Sequence, residues 1–237
     1  MKDSKQMLAT ALNNQKFKQR GAAFFRVYGD GVLQVLKFEK ERTCLGLILR
    51  IGLDSMYGEL EPQWFTSSGC MTRYDLVNII GERNSVIRGE FSSGFALQAY
   101  SLETQLELLE CYGIPFLNSV GNQQQLAESL CYLESSWGGS VIWNDYQKFA
   151  PYLAANDLES AKKVLDAILA QHARADASHQ KHSSKEAYLV WKKRLDAEDA
   201  GLYQLQTLIY KQDVEGIQEY LQKNYSNNCR LARFCMK

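Results

Sequence analysis

Cys44-Leu45-Gly46-Leu47-Ile48-Leu49-Arg50-Ile51-Gly52-Leu53 places Leu45, Leu47, Leu49, Ile51 and Leu53 at every second position. Successive side chains of an extended chain point to opposite faces, so this period predicts a strand with one apolar face on a core. Upstream, Phe24-Phe25-Arg26-Val27-Tyr28 and Val32 to Glu39 have the same extended character. Between them Gly29-Asp30-Gly31 is a turn that accepts positive φ. Three strands on short connections make an antiparallel meander the simplest topology.

On the N-terminal side, residues 4–16 set Met7, Leu8, Ala11 and Leu12 on one helical face, and Gly21 ends the loop that follows. On the other side, Tyr74 to Ile80 and Ser85 to Phe91 read as further strands. Glu103 to Cys111 reads as a helix stopped by Gly113, with Pro115 two residues on. Asn122 to Leu133 is another helix. Trp137-Gly138-Gly139-Ser140 is the most plausible boundary in the chain.

After that boundary the pattern is helical. Asp157 caps a helix that buries Ala161, Val164, Leu165, Ile168 and Leu169, with Glu159 placed to reach back to its start. Ser183 and Glu186 form a second capping box. Behind it Tyr188, Leu195, Leu202 and Ile209 recur every seven residues, beside Trp191 and Leu205. Asp157-Leu158-Glu159-x-Ala161-x-x-x-Leu165 is echoed by Asp213-Val214-Glu215-x-Ile217-x-x-x-Leu221, a similarity expected of stacked helical hairpins and also of any two helices that share capping rules. The expected fold is therefore α+β: an N-terminal antiparallel β-meander packed with helices, then an all-helical C-terminal half. Residues 1–136 form the first unit and residues 137–237 a helical hairpin extension, packed with it or apart.

The 237 residues suffice for one large domain or two small ones, and such a chain buries roughly 70% of its unfolded surface without disulfides or metal. Lys plus Arg is 27 and Asp plus Glu is 27, split as 13 of each sign in residues 1–118 and 14 of each in 119–237. Neither half carries the field that holds a polyanion, which speaks against general nucleic-acid binding. The six cysteines, 44, 70, 111, 131, 229 and 235, show no Cys-x-x-Cys pair and no metal-ligand spacing to histidine. The N-terminal residues lack the apolar stretch of a signal peptide, and the longest aliphatic run is too short to cross a bilayer. Free thiols, a cytoplasmic location and no membrane contact are the expectation.

No nucleophile elbow, phosphate loop, dinucleotide fingerprint or zinc-protease motif is present. His172, Asp176 and His179 fall on one helical face, competent for a metal in principle, but the surrounding stretch is Ala-, Ser-, Lys- and Gln-rich and reads as a solvated helix end. Neither a metal nor a cofactor is expected. Lys181, Lys185, Lys192, Lys193 and Arg194, interleaved with Tyr188 and Trp191, read as the solvated face of a helix. Two polar residues inside strands stand out. Gln34 shares a face with Val32, Leu36 and Phe38, and Arg50 shares one with Cys44, Gly46 and Ile48. Buried, each needs partners, and together they are the candidate ligand-binding residues of a pocket over the sheet. The C-terminal stretch from Asn228 carries Arg230, Arg233 and Lys237 beside Leu231, Phe234 and Met236 with no acid. It either docks onto its own domain or meets an acidic partner, which makes Arg230, Arg233 and Phe234 the candidate partner-binding residues.

Phe17-x-x-x-Gly21-x-x-Phe24-Phe25-Arg26 and Gly31-Val32-x-Gln34-Val35-x-x-Phe38-x-Lys40 resemble the opening of the bacterial domain-of-unknown-function family numbered 4304. Tyr112-Gly113-Ile114-Pro115-Phe116-Leu117, with the helix from Gln123 to Leu130, resembles its closing segment, so the likeness spans roughly residues 5–135. The resemblance implies a small α+β domain in a bacterial cytoplasm, of a kind found near toxin–immunity loci. The leading expectation is a non-enzymatic protein-binding module, of the immunity type that neutralises a bacterial toxin. The alternative is an enzyme or small-molecule binder with its pocket near Gln34 and Arg50.

Overall fold

In a computed structural model of the chain, the residues described are 2–12, 14–40, 47–60, 74–75, 101–136 and 143–236. Helix α1 (Lys2–Ala11) leads into a five-stranded antiparallel sheet. Its strands, in sequence and spatial order, are β1 (Lys18–Arg20), β2 (Ala23–Tyr28), β3 (Val32–Lys40), β4 (Leu47–Ser55) and β5 (Tyr74–Asp75). The meander on β2, β3 and β4 is as expected. Strand β1 stands where the sequence predicts loop, because Lys18-Gln19-Arg20 has no apolar alternation. It is an edge strand defined by backbone pairing to β2 through a two-residue turn, with Gly21 at φ 57° in the first central position. Leu45, the Trp137–Ser140 boundary, the strand at 85–91 and the rest of the 74–80 strand lie outside the described residues.

Leu49, Ile51 and Leu53 of β4 are fully buried, packed with Phe24, Val32 and Leu36 against Leu8 and Leu12 of α1 and against the helices that follow the sheet. Those helices are α2 (Leu102–Leu108), a π-helical turn (Leu109–Gly113), α3 (Ile114–Ser119) and α4 (Gln123–Ser136). Gly113 was expected to stop the first of them. Instead the chain runs on, because the wider π-turn accommodates Pro115, which has no N–H and clashes with a tight preceding turn. The Ile114 N–H accordingly reaches back five residues to the Leu109 carbonyl.

The helical half consists of α5 (Trp143–Ala154), α6 (Leu158–His182), α7 (Lys185–Tyr210) and α8 (Val214–Met236). Phe149, Leu153, Leu165, Ile168, Leu205, Ile209 and Leu221 form its core. The sequence echo at Asp157 and Asp213 is a repeated turn. The Asn156 N–H bonds the Leu153 carbonyl and the Asp157 N–H the Tyr152 carbonyl. The Gln212 N–H bonds the Ile209 carbonyl and the Asp213 N–H the Leu208 carbonyl. These are two Schellman motifs, with Asn156 at φ 60° and Gln212 at φ 52° in the left-handed position. Each aspartate then caps the next helix, accepting from the Ser160 and Gly216 N–H groups at 3.0 Å. Two capping details differ from expectation. Glu159 pairs with Lys163 at 2.7 Å instead of reaching back, and Ser184, not Ser183, caps α7.

Helix α8 returns to the sheet. Ala232, Leu231, Cys229 and Tyr225 pack with Ala23, Phe25, Leu33 and Val35 on the face opposite α1–α4. Asn228 Nδ2 donates to the carbonyls of Met56 and Gly58, and Asn224 Nδ2 to that of Tyr57. The tail therefore docks on its own sheet, which is helix-covered on both faces.

Candidate functional site

Gln34 and Arg50 do not line one pocket. Residues facing each other across an antiparallel ladder share a face. Gln34 faces Leu53, while Arg50 faces Lys37 and Asp75, an odd number of positions away, so the two side chains project to opposite sides of the sheet. Arg50 is half-buried on the side covered by α8.

Gln34 is fully buried and fully engaged. Its Nε2 donates to the carbonyls of Leu117 and Val120, tying β3 to the end of α3. Its Oε1 accepts from Arg26 Nε at 2.9 Å. Arg26 occupies the position directly across the hairpin and is 6% exposed. Its other nitrogens donate to the Gln15 carbonyl at 2.9 Å and to Asn118 Oδ1 at 2.6 Å. The guanidinium carbon lies 4.6 Å from the Phe17 ring centroid and 4.3 Å from that of Tyr28. Cation–π attraction and three neutral oxygens thus hold a buried cation that, among the described residues, has no carboxylate partner. Desolvation pulls its pKa below the ordinary arginine value. Parity across the Gly29–Gly31 turn pairs residue 26 with residue 34, a signal legible in the sequence itself.

A second missed group is Asp54, on the α8 side of β4. It is 4% exposed, its Oδ1 accepts from the Ser55 N–H at 2.7 Å, and its Oδ2 has no hydrogen-bond partner among the described residues. Burial pushes its pKa up to about 7.

The histidines do not converge. His172 Nδ1 meets Asp199 Oδ1 at 2.5 Å, and His179 stacks on Trp191 with centroids 4.1 Å apart. Asp176 accepts from the Tyr188 hydroxyl at 3.0 Å and from Lys192 Nζ at 2.7 Å, and Lys192 also holds Asp196. Lys192 draws the Asp176 pKa below the ordinary carboxylate range. Apart from Lys192–Asp196, which lies within α7, these contacts join α6 to α7. No residue from 169 to 194 is buried, so the outer part of this hairpin extends about 20 Å beyond Ile168 without a hydrophobic core. Polar and aromatic contacts link its two helices there, and Leu189 and Val190 stand exposed on it at 57% and 61%. Arg230 and Arg233 are exposed on α8; the Phe234 side chain lies outside the described residues. Cys111, Cys131 and Cys229 are free thiols, while Cys44, Cys70 and the Cys235 side chain lie outside that set. No described helix is long and apolar enough to cross a membrane.

No family model, curated protein or solved structure matches the chain.

Proposed function

We propose that the chain is a non-enzymatic protein-binding module whose α6–α7 arm engages a protein partner. The observation that carries this reading is the arm itself. Its outer turns gain no burial from the rest of the fold, yet they are held in register by His172–Asp199, His179–Trp191 and Asp176–Lys192, and they expose Leu189 and Val190. A helical projection with exposed apolar side chains near its tip in a polar surround suits insertion into a partner's groove. The resemblance to the unknown-function family adds that the partner is a bacterial toxin, neutralised in the cytoplasm by an immunity-type protein.

Affinity capture from the native host tests this, comparing the full chain with a Leu189→Asp/Val190→Asp variant. Both side chains are exposed, so the variant keeps its helicity and melting temperature and loses the partner. An Arg230→Glu/Arg233→Glu variant tests α8 as the contact. Retention of the partner by the arm variant overturns the assignment.

A further inference from the structure

We propose that the Arg26 guanidinium is the base of an oxyanion-binding site, which takes a carboxylate or phosphate oxygen in the place that the Asn118 side-chain oxygen occupies. A buried cation held only by neutral oxygens is costly beside an apolar residue of the same size. Here that arrangement stands among Phe24, Val32 and Leu36, on a face whose other buried polar side chain in these two strands is Gln34. The guanidinium has five N–H donors. Three are engaged, by Gln34 Oε1, the Gln15 carbonyl and Asn118 Oδ1, which leaves two without a partner among the described residues. The guanidinium carbon lies over the Phe17 ring and over the Tyr28 ring, and the N–H donors along the guanidinium edge are those with which arginine binds carboxylate and phosphate in two-pronged fashion.

The groups along that edge are movable. Asn118 is exposed, so its oxygen can be exchanged for a ligand's. The Gln15 carbonyl comes from a strained loop: Asn14 at φ 72° and Lys16 at φ 59° both sit in the left-handed region without being glycine. Exposed Lys16 is the next residue along that loop. The site belongs to the sheet and stands whether or not the α6–α7 arm binds a protein.

The test uses thermal melts and titration calorimetry on the full chain. Sodium acetate and inorganic phosphate are compared with sodium chloride at equal ionic strength. The expected result is a saturable rise in Tm and a binding isotherm with at least one of the two oxyanions and none with chloride. A response to acetate alone marks a carboxylate site, to phosphate alone a phosphate site. Asn118→Asp supplies an internal carboxylate, so it raises the basal Tm and removes the response. Asn118→Ala removes the competing oxygen and tightens oxyanion binding about tenfold. The proposal is overturned if neither oxyanion binds, if Asn118→Asp responds as the wild type does, or if Asn118→Ala binds no more tightly.

Discussion

Arg26 stands directly across the β2–β3 hairpin from Gln34, and its Nε donates to the Gln34 side-chain oxygen at 2.9 Å. That bond links two sets of long-range contacts. Through Gln34 it reaches the carbonyls that close α3, and through Arg26 it reaches the loop after α1. The pair therefore joins the sheet, the loop after α1 and the end of α3 at one buried point.

Removing either partner strands the other. Gln34→Leu leaves the Arg26 Nε and the Val120 carbonyl without their partner and takes one of two donors from the Leu117 carbonyl, and Arg26→Met frees the Gln34, Gln15 and Asn118 oxygens. Each single variant is expected to lose about 2–4 kcal/mol, as removal of a hydrogen-bonded partner of a buried charge does. The double variant loses less than the sum, with a coupling of roughly 1–3 kcal/mol read from urea unfolding in a double-mutant cycle. Strict additivity would mean that the bond contributes nothing.

Leu49→Asp is expected to abolish cooperative folding. Leu49 is 0% exposed in the core under α1–α4, and an unpartnered carboxylate there costs several kcal/mol, on the order of a domain's stability. Leu49→Ala, losing about 2–5 kcal/mol, is the graded control. Far-ultraviolet circular dichroism and a urea melt check both; a cooperatively folded aspartate variant contradicts the placement of this side chain.

Asp54 makes stability fall with rising pH. Its folded pKa is about 7 against an ordinary 3.8, so between these values the unfolded chain has given up the proton that the folded one keeps. The stabilising effect is complete below about pH 4 and lost as pH rises through about 7. At ~1.4 kcal/mol per pH unit the loss is bounded at about 4 kcal/mol. Urea midpoints taken from about pH 4 to 8 are expected to fall in the wild type and to stay nearly level in Asp54→Asn. An equal slope in both proteins assigns the titration elsewhere.

The repeated turn carries its own test. Asp157→Ala and Asp213→Ala each remove a side-chain cap and are expected to cost about 1 kcal/mol. Gln212→Gly relieves a left-handed residue and raises stability by about 0.5–1 kcal/mol. Thermal melts of the three variants check the set, and a destabilised glycine variant means that the Gln212 conformation carries no strain.

The sequence by itself determined the elements whose signals are local. The period of two from Leu47 to Leu53, the glycines at 29 and 31, both at positive φ, and the seven-residue recurrence at Leu195, Leu202 and Ile209 each arise between near neighbours in the chain, where backbone geometry alone sets the pattern. Gln34 was legible as an oddity for the same reason, since one amide on an apolar face breaks a short pattern. Only the tertiary structure decided what that amide does. Its partners Leu117 and Val120, and Asn118 on Arg26, lie more than 80 residues away in the chain. The second face of the sheet was equally invisible: Asn228 reaches Met56 and Gly58 across about 170 positions, and nothing in Ala23 or Val35 names the helix that covers them. Apolar burial carries no address. It requires that a face be covered, while directional hydrogen bonds formed after docking select which distant segment covers it.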